Sequence, residues 1–268
     1  MNNRPIGVFD SGLGGLTAVR EIQRIMPGED IIYFGDTGRV PYGTRSRETI
    51  IRYTKEDIDF LLKHDIKLVV AACGTASSVA LPALYDKYDV KIMGVLEAAC
   101  KKAVSVTKNN RIGVIGTAGT VKSGKYAELI TKQSPKMQVF SAACPLFVPL
   151  VENGYSESKA AELIAKDYLL PLKNEEVDTL ILGCTHYPLL TKVISDIMGD
   201  EVILLSPGAL VAEEAKEYLE KENLLSDKEA GISQFYVSDS VESFAELGGT
   251  FLGKPIKSSV HLAEAFRQ

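Results

Sequence analysis

The chain has 268 residues, is 46% hydrophobic and 24% charged, and carries a formal net charge of -5. That is globular composition, long enough for one large or two medium domains whose core needs no disulfide staples. It argues against the strongly basic surface of a general nucleic-acid binder, and no run reaches the roughly 18 apolar residues of a membrane-spanning helix.

Met1-Asn2-Asn3-Arg4-Pro5 contains no apolar signal region, so the expected location is cytoplasmic, with reduced thiols. Short apolar runs predict strands over 6–9, 31–34, 68–71, 91–95, 111–115, 137–142, 179–182, 202–205 and 234–238. Amphipathic stretches between them predict helices, most clearly over 17–26, 46–63, 156–170 and 208–222. Strands alternating with helices imply an α/β fold with parallel sheets. Leu68-Val69-Val70-Ala71-Ala72 is apolar without interruption, as suits a sheet covered on both faces.

A weak internal repeat suggests two pseudo-symmetric α/β halves. Ile6-Gly7-Val8 leads into Asp10-Ser11-Gly12, and Ile112-Gly113-Val114 leads into Gly116-Thr117-Ala118. At a similar offset, the strand ending in Ala72 leads into Cys73-Gly74-Thr75, and the strand ending in Gly183 leads into Cys184-Thr185-His186. Asn109-Asn110 and Ser206-Pro207-Gly208 are candidate crossings. The expected domains are therefore 1–95 with 209–268, and 96–208, with the active site in the cleft between them and a hinge that opens it.

The four cysteines form no C-x-x-C pair, and His64, His186 and His261 have no zinc-ligand spacing, so no metal site is expected. Cys100 and Cys144 read as small buried hydrophobes. Cys73 and Cys184 each follow an apolar strand and precede a predicted helix. There the helix N-terminus favours a thiolate, and Thr75 and Thr185 can donate to a carboxylate. Pro188 suits a first helical position. If the halves face each other, the two thiols approach one substrate from opposite sides, as inversion at a carbon requires. Asp10, Glu152 and His186 are the polar candidates beside them. Asp10 also reads as a turn residue, and Glu152 as a structural acid.

Two nucleotide-loop likenesses fail. Gly12-Leu13-Gly14-Gly15 is followed by Thr17 where a dinucleotide loop needs its third glycine. The run 119–125 matches most of a P-loop, but Tyr126 replaces the metal-binding hydroxyl residue, so a helix start with a glycine turn fits better.

Taken together, these residues resemble the bacterial glutamate racemases of the aspartate/glutamate racemase superfamily. The likeness spans nearly the whole chain. It rests on Ile6-Gly7-Val8-Phe9-Asp10-Ser11-Gly12-Leu13-Gly14-Gly15-Leu16-Thr17, Tyr33-Phe34-Gly35-Asp36-Thr37, Val40-Pro41-Tyr42-Gly43, Ala72-Cys73-Gly74-Thr75-Ala76-Ser77 and the run 143–152. Its most specific marker is Leu182-Gly183-Cys184-Thr185-His186-Tyr187-Pro188-Leu189-Leu190. The resemblance implies two α/β domains, a homodimer, and catalysis without pyridoxal phosphate, other cofactor or metal. It implies that Cys73 deprotonates D-glutamate and Cys184 deprotonates L-glutamate, with Asp10, Glu152 and His186 in support. Implied substrate contacts are Asp10, Ser11, Pro41, Tyr42, Gly43 and Gly74. Thr75, Thr117, Thr120, Thr185 and His186 complete them. The product would supply peptidoglycan synthesis.

Two positions depart from the family pattern: Gly74 stands where Asn is usual, and Ala98 where Pro is expected. Glycine supplies no side-chain amide to the substrate, so a backbone N–H or a water would have to replace it. The sequence leaves three alternatives: an aspartate racemase, a non-catalytic binding protein on the same fold, and a cysteine hydrolase using Cys184 with His186. Retention of both thiols argues against the second, and the unexplained Cys73 against the third.

Overall fold

The computed structural model describes residues 2–256 and 260–266. The chain opens with strand β1 (Ile6–Asp10), helix α1 (Leu16–Ile25), β2 (Ile31–Gly35), α2 (Arg47–Leu62), β3 (Leu68–Ala71), the short α3 (Gly74–Val79) and β4 (Lys91–Gly94). Helix α4 (Val95–Val106) then leads into β5 (Arg111–Gly116), α5 (Ala118–Lys122), α6 (Lys125–Gln133) and β6 (Gln138–Ala143). After α7 (Phe147–Glu152) and α8 (Lys159–Asn174) come β7 (Thr179–Leu182), α9 (Thr191–Met198) and β8 (Ile203–Leu205). The chain closes with α10 (Pro207–Lys221), β9 (Ser233–Val237), α11 (Val241–Leu252) and β10 (Val260–Leu262).

All the strand pairings are parallel. One sheet has the order β10-β9-β2-β1-β3-β4 and the other β6-β5-β7-β8. Removing β9 and β10 leaves the same order in both, β2-β1-β3-β4 against β6-β5-β7-β8. The fold is thus α/β with two pseudo-symmetric parallel sheets, and the internal repeat corresponds to this shared order. The larger sheet draws its strands from residues 6–94 and 233–262, the smaller from 111–205.

Local chemistry explains the elements. Strands β1, β2, β3 and β7 are buried along their whole length, which is why they read as unbroken apolar runs. Helix α2 is capped by Ser46, whose Oγ accepts from Thr49 N–H at 3.3 Å, and α8 by Ser158, whose Oγ accepts from Ala161 N–H at 3.1 Å. Helix α8 runs on through Pro171 to Asn174, beyond the sequence expectation of 170. Proline removes one N–H donor near the helix end without ending it. The run 119–125 spans the body of α5, a break at Gly124 (φ 64°) and the first residue of α6, a helix start after a glycine turn.

The start of β3 is fixed by a buried ion pair. Lys67 Nζ lies 2.6 Å from Glu29 Oε2, with the two side chains 0% and 2% exposed. It also donates to the carbonyls of Asn2 and Leu224 at 2.6 and 2.8 Å. The amino-terminal strand order is thereby tied to the loop that follows α10. Among the described residues no helix is long and apolar enough to cross a membrane.

Candidate active site

In open α/β sheets, the ligand crevice lies beyond the carboxyl ends of the strands where strand order reverses. Each sheet has one such point: β1 beside β3, and β5 beside β7. Asp10 ends β1 and Cys73 follows β3. Thr117 follows β5 and Cys184 follows β7. The two reversal points face each other across a cavity of about 340 Å³, which both Cys73 and Cys184 line.

Cys73 is 5% exposed and caps α3, its Sγ accepting from Ala76 N–H at 3.5 Å. The Cys73 thiol in turn donates to Ser11 Oγ at 3.5 Å. Burial, reinforced by the charge of Asp10, pushes the Cys73 thiol up to about 12, against the lowering hydrogen bonds from Ser11 and Ala76. This corrects the expectation that the helix N-terminus would favour a thiolate here. Six residues of helix supply less than desolvation removes. Cys184 also departs from expectation: a 3₁₀ turn, Tyr187–Leu190, and not an α-helix, follows it, with Pro188 in its first turn.

His186, on the Cys184 side, is 6% exposed. Its Nδ1 lies 3.9 Å from Cys184 Sγ and its Nε2 3.0 Å from Glu152 Oε1. Burial opposes protonation of the ring, but hydrogen bonds to Cys184 and Glu152, with the charges of Cys184 and Asp10, push it up to about 10. These partners favour the protonated ring. Phe251 packs edge-on against it at 5.1 Å. Asp10, 1% exposed, is raised by burial and lowered in part by His186, by the N–H groups of Gly12 and Gly15, and by Thr185. Gly12 N–H donates to its Oδ2 at 2.9 Å, and Thr185 Oγ1 to its Oδ1 at 3.4 Å. Asp10 is thus at once the turn residue of the 10–12 loop and a bridge to the other half.

Of the expected contacts, Ser11, Pro41, Tyr42, Gly43, Gly74, Thr75, Thr117, Thr185, His186 and Glu152 line the cavity. Asp10 and Thr120 do not; they sit one layer behind. Thr120 Oγ1 lies 3.3 Å from Thr75 Oγ1 and 3.1 Å from Thr117 Oγ1, and the last two lie 3.0 Å apart. This triangle of hydroxyls joins α3 to the start of α5 across the cleft. The Tyr42 ring contributes wall, while its hydroxyl turns away to Asp36 and Asp57.

Some of the site escaped the sequence reading. Cys144 is buried as expected, but it also lines the cavity, with Val148 and Pro149 of α7 forming an apolar wall beside it. The apolar run 145–151 was the signal available. Tyr33 Oη donates to the Gly12 carbonyl at 2.7 Å and so fixes the glycine loop from below. Among the described residues no group of three or more His, Cys, Asp or Glu side chains is placed to hold a metal ion.

Comparison with known proteins agrees with this geometry. The sequence profile of the Asp/Glu/Hydantoin racemase family matches residues 6–215. The chain is 47% identical over 251 residues to a glutamate racemase of Geobacter metallireducens, covering 93% of each protein. Its structure is similar to that of a glutamate racemase isoform from Bacillus anthracis (TM-score 0.95, 37% identity, 100% of each chain covered). It is also similar to a glutamate racemase from Francisella tularensis in complex with D-glutamate (TM-score 0.92, 36% identity, 98% of each chain covered).

Proposed function

The chain belongs to the Asp/Glu/Hydantoin racemase family and within it to the glutamate racemases, and from that premise we propose a two-base mechanism in which Cys73 and Cys184 serve opposite faces of the substrate Cα. The observation that carries it is the placement of both sulfurs on one cavity, at equivalent ends of β3 and β7. In the L-to-D direction, the Cys184 thiolate takes the Cα proton. The electron pair left on Cα delocalises into the carboxylate, and Cys73 returns a proton from its S–H to the other face. The D-to-L direction exchanges the roles.

The supporting groups follow from position. His186, oriented by Glu152, offers an N–H beside Cys184. Ser11 offers a hydroxyl to Cys73 when it becomes the thiolate. Asp10 orients Thr185 and the 10–12 turn from behind the cavity wall. The backbone and hydroxyls of Gly43, Gly74, Thr75, Thr117 and Thr185 bind the substrate carboxylates. With Gly74 in place of the family's Asn, carboxylate recognition there falls to backbone N–H groups. The residues named supply acid, base and binding for every step, so the proposal requires neither cofactor nor metal.

The reading extends to the role of the product: D-glutamate for peptidoglycan synthesis, made in the cytoplasm, where the four unpaired thiols stay reduced. It also includes a homodimer, to be measured by sedimentation. The deciding experiment is Cα deuterium incorporation in D₂O from L-glutamate, D-glutamate and both aspartate enantiomers. Cys73→Ser and Cys184→Ser accompany the wild type. The expected result is interconversion of glutamate with solvent deuterium in the product, abolished in each variant. Undiminished racemisation in either variant overturns the two-thiol mechanism.

A further inference from the structure

Behind the cavity wall lies a group of buried ionisable side chains that the mechanism does not use. Tyr42 is 1% exposed, and its hydroxyl reaches both Asp36 and Asp57, the latter at 2.8 Å. Both carboxylate residues are fully buried. Arg39 Nε donates to Asp36 Oδ2 at 2.6 Å and Nη2 to Asp57 Oδ1 at 3.0 Å, and Nη1 pairs with Glu56. The guanidinium also lies over the Tyr53 ring at 4.1 Å. Burial and the charge of Asp36 push Asp57 well above the ordinary carboxylate value. A tyrosine hydroxyl has a single proton, so it donates to one carboxyl group and accepts from the other. Burial and the neighbouring carboxylate favour the protonated form at Asp57.

These residues lie behind a segment whose first turn is held to the 238–239 loop, with Gly38 N–H donating to Ser238 Oγ at 2.9 Å. Residues 37–45 form two 3₁₀ turns, Thr37–Arg39 and Tyr42–Thr44, joined through Val40 and Pro41. The second turn lines the cavity on one side. On the other it meets α5, where a side chain at Gly119 would stand 2.9 Å from the Gly43 carbonyl oxygen. Backbone hydrogen bonds at its turns run from Arg39 N–H to the Asp36 carbonyl and from Arg45 N–H to the Tyr42 carbonyl.

We infer that Asp57 and Arg39 are positioning residues for substrate binding, which fix the cavity-lining turn 42–44 through the Tyr42 hydroxyl while lying outside the cavity themselves. The inference rests on the reading that this turn binds glutamate. Buried ion networks contribute little net stability, but they hold geometry that an apolar core would leave loose. Displacing a binding turn by a fraction of an ångström weakens ground-state contacts while leaving the two sulfurs in place. The signature is therefore in KM and not in kcat.

The test measures kcat and KM for both enantiomers, with thermal midpoints, in Asp57→Ala, Tyr42→Phe, the double variant and Asp57→Asn of the full chain. The inference expects KM to rise about tenfold in each of the first two, with kcat within about threefold of wild type. The double variant should be no worse than the worse single one, because both break one connection. Asp57→Asn, whose amide has the carboxyl's shape, can still accept from Arg39 and can donate to the Tyr42 oxygen, should restore KM to within about threefold. Unchanged KM with lowered thermal midpoints, additive effects, or an Asp57→Asn variant as impaired as Asp57→Ala would each overturn it. If Asp57→Ala does not fold, Tyr42→Phe and Asp57→Asn decide: raised KM in the first with preserved KM in the second supports it, and any other combination overturns it. Wild-type activity on glutamate, measured alongside, separates this failure from failure of the racemase reading.

Discussion

Gly74 and Gly183 meet backbone to backbone across the cleft: a methyl group added at Gly74 would stand 2.4 Å from the Gly183 carbonyl oxygen. Gly74 directly follows Cys73, and Gly183 directly precedes Cys184. Their contact therefore sets how closely the two thiol-bearing turns approach.

Gly74→Ala should consequently lower kcat/KM about 10- to 100-fold, since a backbone carbonyl cannot swing aside as a flexible side chain can and the turns must part. Gly74→Asn, which restores the family's usual residue, should be impaired as well, because this chain closes the space that Asn would occupy. Steady-state kinetics with thermal midpoints near wild type would confirm a local effect. Wild-type kcat/KM in Gly74→Asn would show that the contact does not control the spacing.

The raised His186 predicts a pH dependence of stability. Folding lifts this ring from its ordinary 6.5 to about 10. Between those values the folded protein binds more protons than the unfolded chain, so stability falls as pH rises. The contribution is fully present below about 6.5 and is lost as pH passes through about 10. Cys73 adds a loss of the same sign at higher pH, because burial pushes it up to about 12. Thermal melts from pH 7 to 10 should fall more steeply for wild type than for His186→Asn. Parallel curves would mean that the ring is neutral in the folded protein.

Glu152 is 38% exposed at its side chain, so its charge is partly screened, yet it holds the far nitrogen of His186 at 3.0 Å. Glu152→Gln keeps an acceptor but removes the charge and should cost about tenfold in kcat. Glu152→Ala, which also frees the ring to turn, should cost about 100-fold. Equal losses in the two variants would show that orientation counts for nothing beyond charge.

The pair formed by Lys67 and Glu29 makes a prediction for stability alone. Lys67→Met leaves a carboxylate buried without its cation and should destabilise by about 3–5 kcal/mol. Adding Glu29→Leu should recover much of that loss in a denaturant titration. Failure to recover would assign the cost to the carbonyls of Asn2 and Leu224, which Lys67 also serves.

What the sequence disclosed and what it hid follow the same physics. Strands β1, β3 and β7 are covered on both faces, so their apolar runs and the reactive residues at their ends were visible. Strand β6, although only partly buried, still reads as the strand expected over 137–142, whereas β10 has three residues at a sheet edge, too few for a pattern, and no strand is expected there. The 42–44 turn was recognised through Tyr42 and Gly43, but Asp57 was not. It lies one helix away, in a stretch where an acid ordinarily marks a solvated face. The approach of Gly74 to Gly183 is likewise invisible in sequence, because it depends on how the halves are set against each other.

The unequal surroundings of the two sulfurs have a kinetic consequence. The enantiomers of glutamate have equal free energy in water, so the Haldane relation holds kcat/KM identical in both directions whatever the protein does. A buried thiol near Asp10 and a half-buried sulfur near His186 can therefore differ only in how kcat and KM are divided between the directions. In the proposed two-thiol mechanism each turnover also leaves the enzyme in the proton form suited to the opposite enantiomer. Resetting that form is then a step that saturating substrate cannot accelerate.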